Sequence, residues 1–104
     1  MAAIEDHIYR AKLMRCVDGD TADFHVDLGF HTYKVIRARL IGVNTPERGR
    51  PDFLRATVML ENLIATKADK KGWVRIFSFK TGKFGRWLVD IEGVNNVLAE
   101  EWPY

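Results

Sequence analysis

Three short stretches concentrate the residues able to do chemistry. Asp18-Gly19-Asp20 sets two carboxylates on either side of a glycine; this composition favours a tight turn and offers the oxygen ligands that hard cations such as Ca²⁺ take. Asn44-Thr45-Pro46-Glu47 places an amide, a backbone carbonyl beside a proline and a carboxylate in one run, so all three can face one cation or one water. Lys83-Phe84-Gly85-Arg86 ends on a planar guanidinium suited to phosphate oxygens, and Arg39 can grip the same group from another element. Each stretch alone has an ordinary reading: Asp-Gly pairs are common in hairpins, polar loops use Asn and Pro for turning, and single arginines end strands. Together they supply the metal site, the water-activating group and the positive charge that phosphodiester hydrolysis needs.

The elements that must position them follow from periodicity. Ile8 to Val17 reads as a strand ending at the Asp18-Gly19-Asp20 turn, and a hairpin follows from it. Ala22, Phe24, Val26 and Leu28 alternate with Thr21, Asp23, His25 and Asp27, which predicts a second strand with one apolar face. After a turn at Gly29, His31 to Val43 reads extended, with Ile36, Ala38 and Leu40 on one side and Arg37 and Arg39 on the other. Thr45-Pro46 stops that strand. Pro51 and Asp52 suit a helix start, Phe53, Ala56, Leu60, Leu63 and Ile64 form its apolar stripe, widened by Met59, and Lys70-Lys71-Gly72 its end. Trp73 to Phe79 and Arg86 to Glu92 read as strands, with a polar loop from Lys80 to Gly85 between them, and Asn95 as the cap of a short closing helix. The expected fold is α+β and mainly β: an OB-fold, a five-stranded Greek-key barrel with a helix between strands 3 and 4 and a short C-terminal helix.

The chain of 104 residues makes a single domain, residues 1–104, with 47% hydrophobic and 29% charged residues, values that exclude disorder and low-complexity scaffolds. A net charge of +2 is too small to establish a polyanionic partner by bulk charge. Cys16 is the one cysteine, so no intrachain disulfide forms. No apolar run approaches a membrane span and the start MAAIEDH lacks signal-peptide regions, so a soluble, cytoplasmic protein without membrane contact is expected. His7, His25 and His31 lack ligand spacing for zinc. Trp73, Phe77, Phe79 and Trp87 read first as sheet packing, with base stacking as the alternative.

Asp18-Gly19-Asp20-Thr21, then Arg39-Leu40-Ile41-Gly42-Val43-Asn44-Thr45-Pro46-Glu47, then Lys83-Phe84-Gly85-Arg86 and Val94-Asn95 occur in an order that resembles the micrococcal nuclease (thermonuclease-like) family, from about Arg10 to the C-terminus. The resemblance implies the same OB-fold and a Ca²⁺-dependent endonuclease that cuts the 5′ P–O bond of DNA and RNA and leaves 3′-phosphate ends. It implies one Ca²⁺, or another divalent cation, held by Asp20, Asn44 and the Thr45 carbonyl. Glu47 is implied as general base, Arg39 and Arg86 as the phosphate-binding pair, and Lys83 and Phe84 as nucleotide contacts.

Asn44 stands where the best-known members carry aspartate, which implies weaker ion binding, and Phe84 stands where a tyrosine is common. The loop from Arg48 to Asp52 is short and the chain stops at Tyr104, before a further helix those members have, so part of the nucleotide-binding wall is expected to be missing or to come from another subunit. The expected partner is DNA or RNA, single strands ahead of duplex. The rival expectation is a non-catalytic OB-fold module that binds nucleic acid or a protein.

Overall fold

A computed structural model describes residues 7–81 and 87–102. The element order is β1 (Ile8–Cys16), β2 (Thr21–Asp27), β3 (Tyr33–Leu40), α1 (Phe53–Lys67), β4 (Trp73–Thr81), β5 (Trp87–Ile91) and α2 (Asn95–Glu101). The five strands close into a barrel in the order β1-β2-β3-β5-β4, with β4 pairing back onto β1 and only β3 and β5 running parallel. The first three strands form the antiparallel meander that their alternation predicts.

The same alternation builds the core. Ala22, Phe24 and Val26 of β2 and Ala38 and Leu40 of β3 point inward and are buried, while Asp23, His25, Arg37 and Arg39 face out. Ala56, Leu60 and Ile64 of α1 are buried in the same core, together with Ile76, Val89, Ile91 and Leu98. Each fully buried Leu or Ile contributes about 1.5–3 kcal/mol of transfer free energy. Arg55 of α1 reaches Glu101 of α2 at 2.7 Å and lies over the Trp102 ring, tying the two helices together. No helix among the described residues is long and apolar enough to cross a membrane.

Element ends depart from the periodic reading; β3 stops at Leu40, before Val43, and β4 runs on to Thr81. β3 begins at Tyr33, not His31, because Phe30 and His31 both adopt left-handed backbone (φ 55° and 58°) in a turn closed by the Thr32 N–H on the Gly29 carbonyl. Leu28 falls outside β2 and is exposed. Helix α1 ends at Lys67: Ala68 is extended, and the Asp69 carboxylate accepts from the Lys71 and Trp73 N–H groups, an Asx turn that competes with further helix. Asn95 does not cap α2, since Val94 holds that position. Its amide instead accepts from the Ile91 N–H and donates to the carbonyls of Ile41 and Val89.

Candidate functional site

Asp20 leaves the β1–β2 turn at the head of β2 and is buried. The turn lies against the loop after β3 because residue 19 is glycine. A Cβ there would sit 2.6 Å from Thr45 Oγ1 and 2.7 Å from the Ala56 Cβ. Gly19 does not have a positive φ, so close approach, not turn conformation, demands glycine at this position. Asp18 Oδ1 accepts from the Asp20 N–H at 3.0 Å and shapes the turn from within.

That approach brings two of the sequence stretches into contact. Asp20 Oδ2 accepts from the Thr45 N–H at 3.2 Å and lies 3.2 Å from Arg39 Nη1, while Oδ1 accepts from the Thr21 hydroxyl. Arg39 is placed by β-sheet register, opposite Thr21. Its Nη1 also donates to the Val43 carbonyl at 2.6 Å, so the guanidinium is tied both to the acidic turn and to the loop that follows its own strand. Thr45 is buried, and its hydroxyl has no hydrogen-bond partner among the described residues.

The loop from Asn44 onward walls a cleft of about 480 Å³, lined by Asn44, Thr45, Pro46, Glu47, Arg50, Pro51 and Asp52. Asn44 and Glu47 are exposed there, and their side chains make no hydrogen bond or ion pair with other described residues. Thus Asp20, Arg39 and Thr45 touch directly, and Asn44, Thr45 and Glu47 share one cleft. Lys83, Phe84 and Arg86 lie outside the described residues. The sequence reading missed Arg50 and Asp52 as cleft residues. Asp52 has left-handed backbone, φ 69°, directly before α1, and its side chain does not cap the helix. The density of charge from Glu47 to Asp52 was the available signal.

Burial, and next a hydrogen bond shared with Asp20, push the Asp18 carboxyl up to about 6. The folded protein therefore holds this proton more tightly than the unfolded chain, whose aspartates titrate near ~4. The stabilising protonated form persists below about pH 4, its advantage declines through the window up to 6, and above that the buried charge is a full cost. Asp18→Asn keeps an acceptor for the Asp20 N–H and is expected to add about 1 kcal/mol at pH 7, a value reduced because half of the group sees solvent. Urea denaturation at pH 4 and pH 7 measures it, and an equal gain at both would disprove the ionic origin.

An all-oxygen donor set of one carboxylate, one amide and one backbone carbonyl suits a hard cation. The buried, unpartnered hydroxyl of Thr45 faces Gly19 of the acidic turn, a polar group left unsatisfied where the two stretches meet. Among the described residues no group of three or more His, Cys, Asp or Glu forms a cluster able to hold a metal ion, so any site here depends on neutral oxygens. Cys16 lies on β1 close by, where burial, then the charges of Glu61 and Asp18, push its thiol up to about 12, which disfavours the reactive thiolate. Compared with known protein families and with curated proteins, the chain matches no family model and no curated protein.

Proposed function

We propose that this chain is a metal-dependent endonuclease of the thermonuclease type, acting on single-stranded DNA or RNA. The observation that carries the reading is the Asp20 carboxylate held between the Thr45 N–H and the Arg39 guanidinium, which ties the acidic turn and β3 to the loop that walls the cleft. The strand order β1-β2-β3-β5-β4, closed by β4 on β1, supports an OB-type Greek-key barrel with α1 between the third and fourth strands.

Asp20, Asn44 and the Thr45 carbonyl would hold one Ca²⁺. The ion, when bound, supplies positive charge to a phosphate oxygen and eases deprotonation of water. Glu47 takes the proton from the attacking water. The water oxygen bonds to phosphorus, the bond to the 5′ oxygen breaks, and that oxygen takes a proton from solvent water as it leaves, while the proton on Glu47 returns to solvent. Arg39 neutralises charge developing on the phosphate, and Arg86 is its intended partner. Anchoring Nη1 to Val43 fixes the fork in place, and a guanidinium carries five N–H donors, so the anchor and a phosphate can be served together.

Digestion of single-stranded DNA and RNA with Ca²⁺ and with chelator tests the reading. Cutting in Ca²⁺ that chelator abolishes supports it. Binding without cutting in any divalent ion would replace it with the non-catalytic module. Asn44→Asp adds a negative charge to the donor set and is expected to lower the Ca²⁺ concentration for half-maximal cutting about tenfold. No shift would remove residue 44 from the ion's ligands.

A further inference from the structure

The outer face of the barrel carries a second group of residues that neither the cleft nor the core uses. Register sets Trp73 of β4 opposite Lys12 of β1, and Lys12 opposite His25 of β2. Tyr33 of β3 lies diagonal to His25, because His25 pairs with Val35. The His25 and Tyr33 rings stack with centroids 4.9 Å apart, and Trp73 lies 6.2 Å from His25 and 6.5 Å from Tyr33. Arg10 sits over the Trp73 ring at 4.9 Å and Lys12 at 5.1 Å.

Three aromatic rings gather on an outward face, and both cations lie over one of them, Trp73. Tyr33 remains 46% exposed. Beside Trp73 opens a cavity of about 550 Å³, whose walls include Arg10, Lys67 and Arg75 along with Asp69 and Glu92. The acidic groups on this side are engaged: Asp69 by the Trp73 N–H, Glu92 by Arg75 at 4.0 Å, and Asp27 by Arg10 at 3.9 Å. Lys12 has no carboxylate partner among the described residues.

We propose that this ring and cation group is a docking platform for single-stranded nucleic acid, extending the cleft of the proposed nuclease, on which reading its catalytic meaning rests. Bases stack on aromatic faces regardless of sequence, and phosphates meet the cations between them. Its position fits that role. Arg39, proposed to bind phosphate and tied to the loop that walls the cleft, pairs with Thr21 on the same outer face. The His25 row lies four residues further along β2, roughly 13 Å away at the rise of a strand. Arg37 lies between the two rows, held bidentate by Asp23, and continues the positive line. A strand a few nucleotides longer than the cleft holds would reach the platform.

The test measures binding of oligothymidylates of about three and about twelve nucleotides in chelator, where nothing is cut. The wild type is expected to bind the longer strand at least about tenfold more tightly. The double substitution Trp73→Leu with Tyr33→Leu keeps strand-compatible apolar side chains. It is expected to remove about tenfold from the long-strand affinity and to leave the short strand unchanged. Lys12→Gln, at an exposed position that does not threaten the fold, is expected to reduce the salt slope of long-strand binding by about one. Equal affinity for the two lengths in the wild type, or variants that weaken both lengths alike, would overturn the platform. Length-dependent binding without Ca²⁺-dependent cutting would uphold it and overturn the nuclease reading, so the two fail separately.

Discussion

Glu47→Gln is expected to slow cutting by about 10²–10⁴-fold while leaving the melting temperature where it was. The split follows from where the residue stands. Its carboxylate is exposed in the cleft and has no partner among the described residues, so removing its charge breaks no packing and no ion pair. Substitutions of that kind change stability by about 0.5 kcal/mol or less. Glutamine matches the shape of glutamate but cannot take a proton from water at neutral pH, so the loss isolates proton transfer from occupancy of the cleft. Single-turnover cleavage of a labelled oligonucleotide in saturating Ca²⁺ measures the rate, and binding in chelator confirms that the strand still docks. A variant that cuts at the wild-type rate would remove Glu47 from the proton transfer and return the cleft to binding alone.

Much of this arrangement was legible because it depends on period-two alternation. The inward set Phe24, Val26, Ala38 and Leu40 and the outward set Asp23, Arg37 and Arg39 were readable directly, since a strand's side chains must take opposite faces. Approach of the Asp18-Gly19-Asp20 turn to the loop at Thr45 was implied only by the family resemblance; no local rule predicts it, although both stretches stood out chemically. Contact between residues twenty-five positions apart depends on a missing Cβ at Gly19, and a local rule attributes that glycine to turn conformation instead. The hairpin tip escaped for the opposite reason. Phe30 and His31 occupy left-handed backbone that sequence rules reserve for Gly or Asn, so the extended reading began at His31, inside the turn. The ring group on the outer face went unrecognised because its members are spread over three strands, and only register brings them together.

Asn95→Ala is expected to cost about 3–4 kcal/mol, a large share of the stability of a domain this size. The amide is buried, and it serves three backbone groups: the Ile91 N–H at 2.9 Å, the Ile41 carbonyl at 2.9 Å and the Val89 carbonyl at 3.1 Å. Alanine leaves these groups without that partner; the Ile91 N–H and Val89 carbonyl bonds are buried, the Ile41 one part-buried, and each buried group so abandoned costs about 1–3 kcal/mol. The Val89 carbonyl keeps a bond from the Ile41 N–H, so one group is fully and two are partly abandoned, which brings the total to about 3–4 kcal/mol. In thermal unfolding the loss corresponds to roughly 15 °C. Asn95→Asp separates hydrogen bonding from packing. It preserves volume and an acceptor for Ile91, but it turns the donor toward two carbonyls into a charged oxygen. It is therefore expected to be as damaging as alanine at pH 7 and to recover part of its stability in acid, where a protonated carboxyl can donate one bond. The consequence reaches the cleft, because Asn95 fastens the loop after β3 to the end of β5, beside the parallel pairing of Arg39 with Leu88. If Asn95→Ala unfolds within 1 kcal/mol of the wild type by urea titration, the cross-link does not hold that pairing, and Arg39 owes its placement to its register with Thr21 and to Asp20 and Val43.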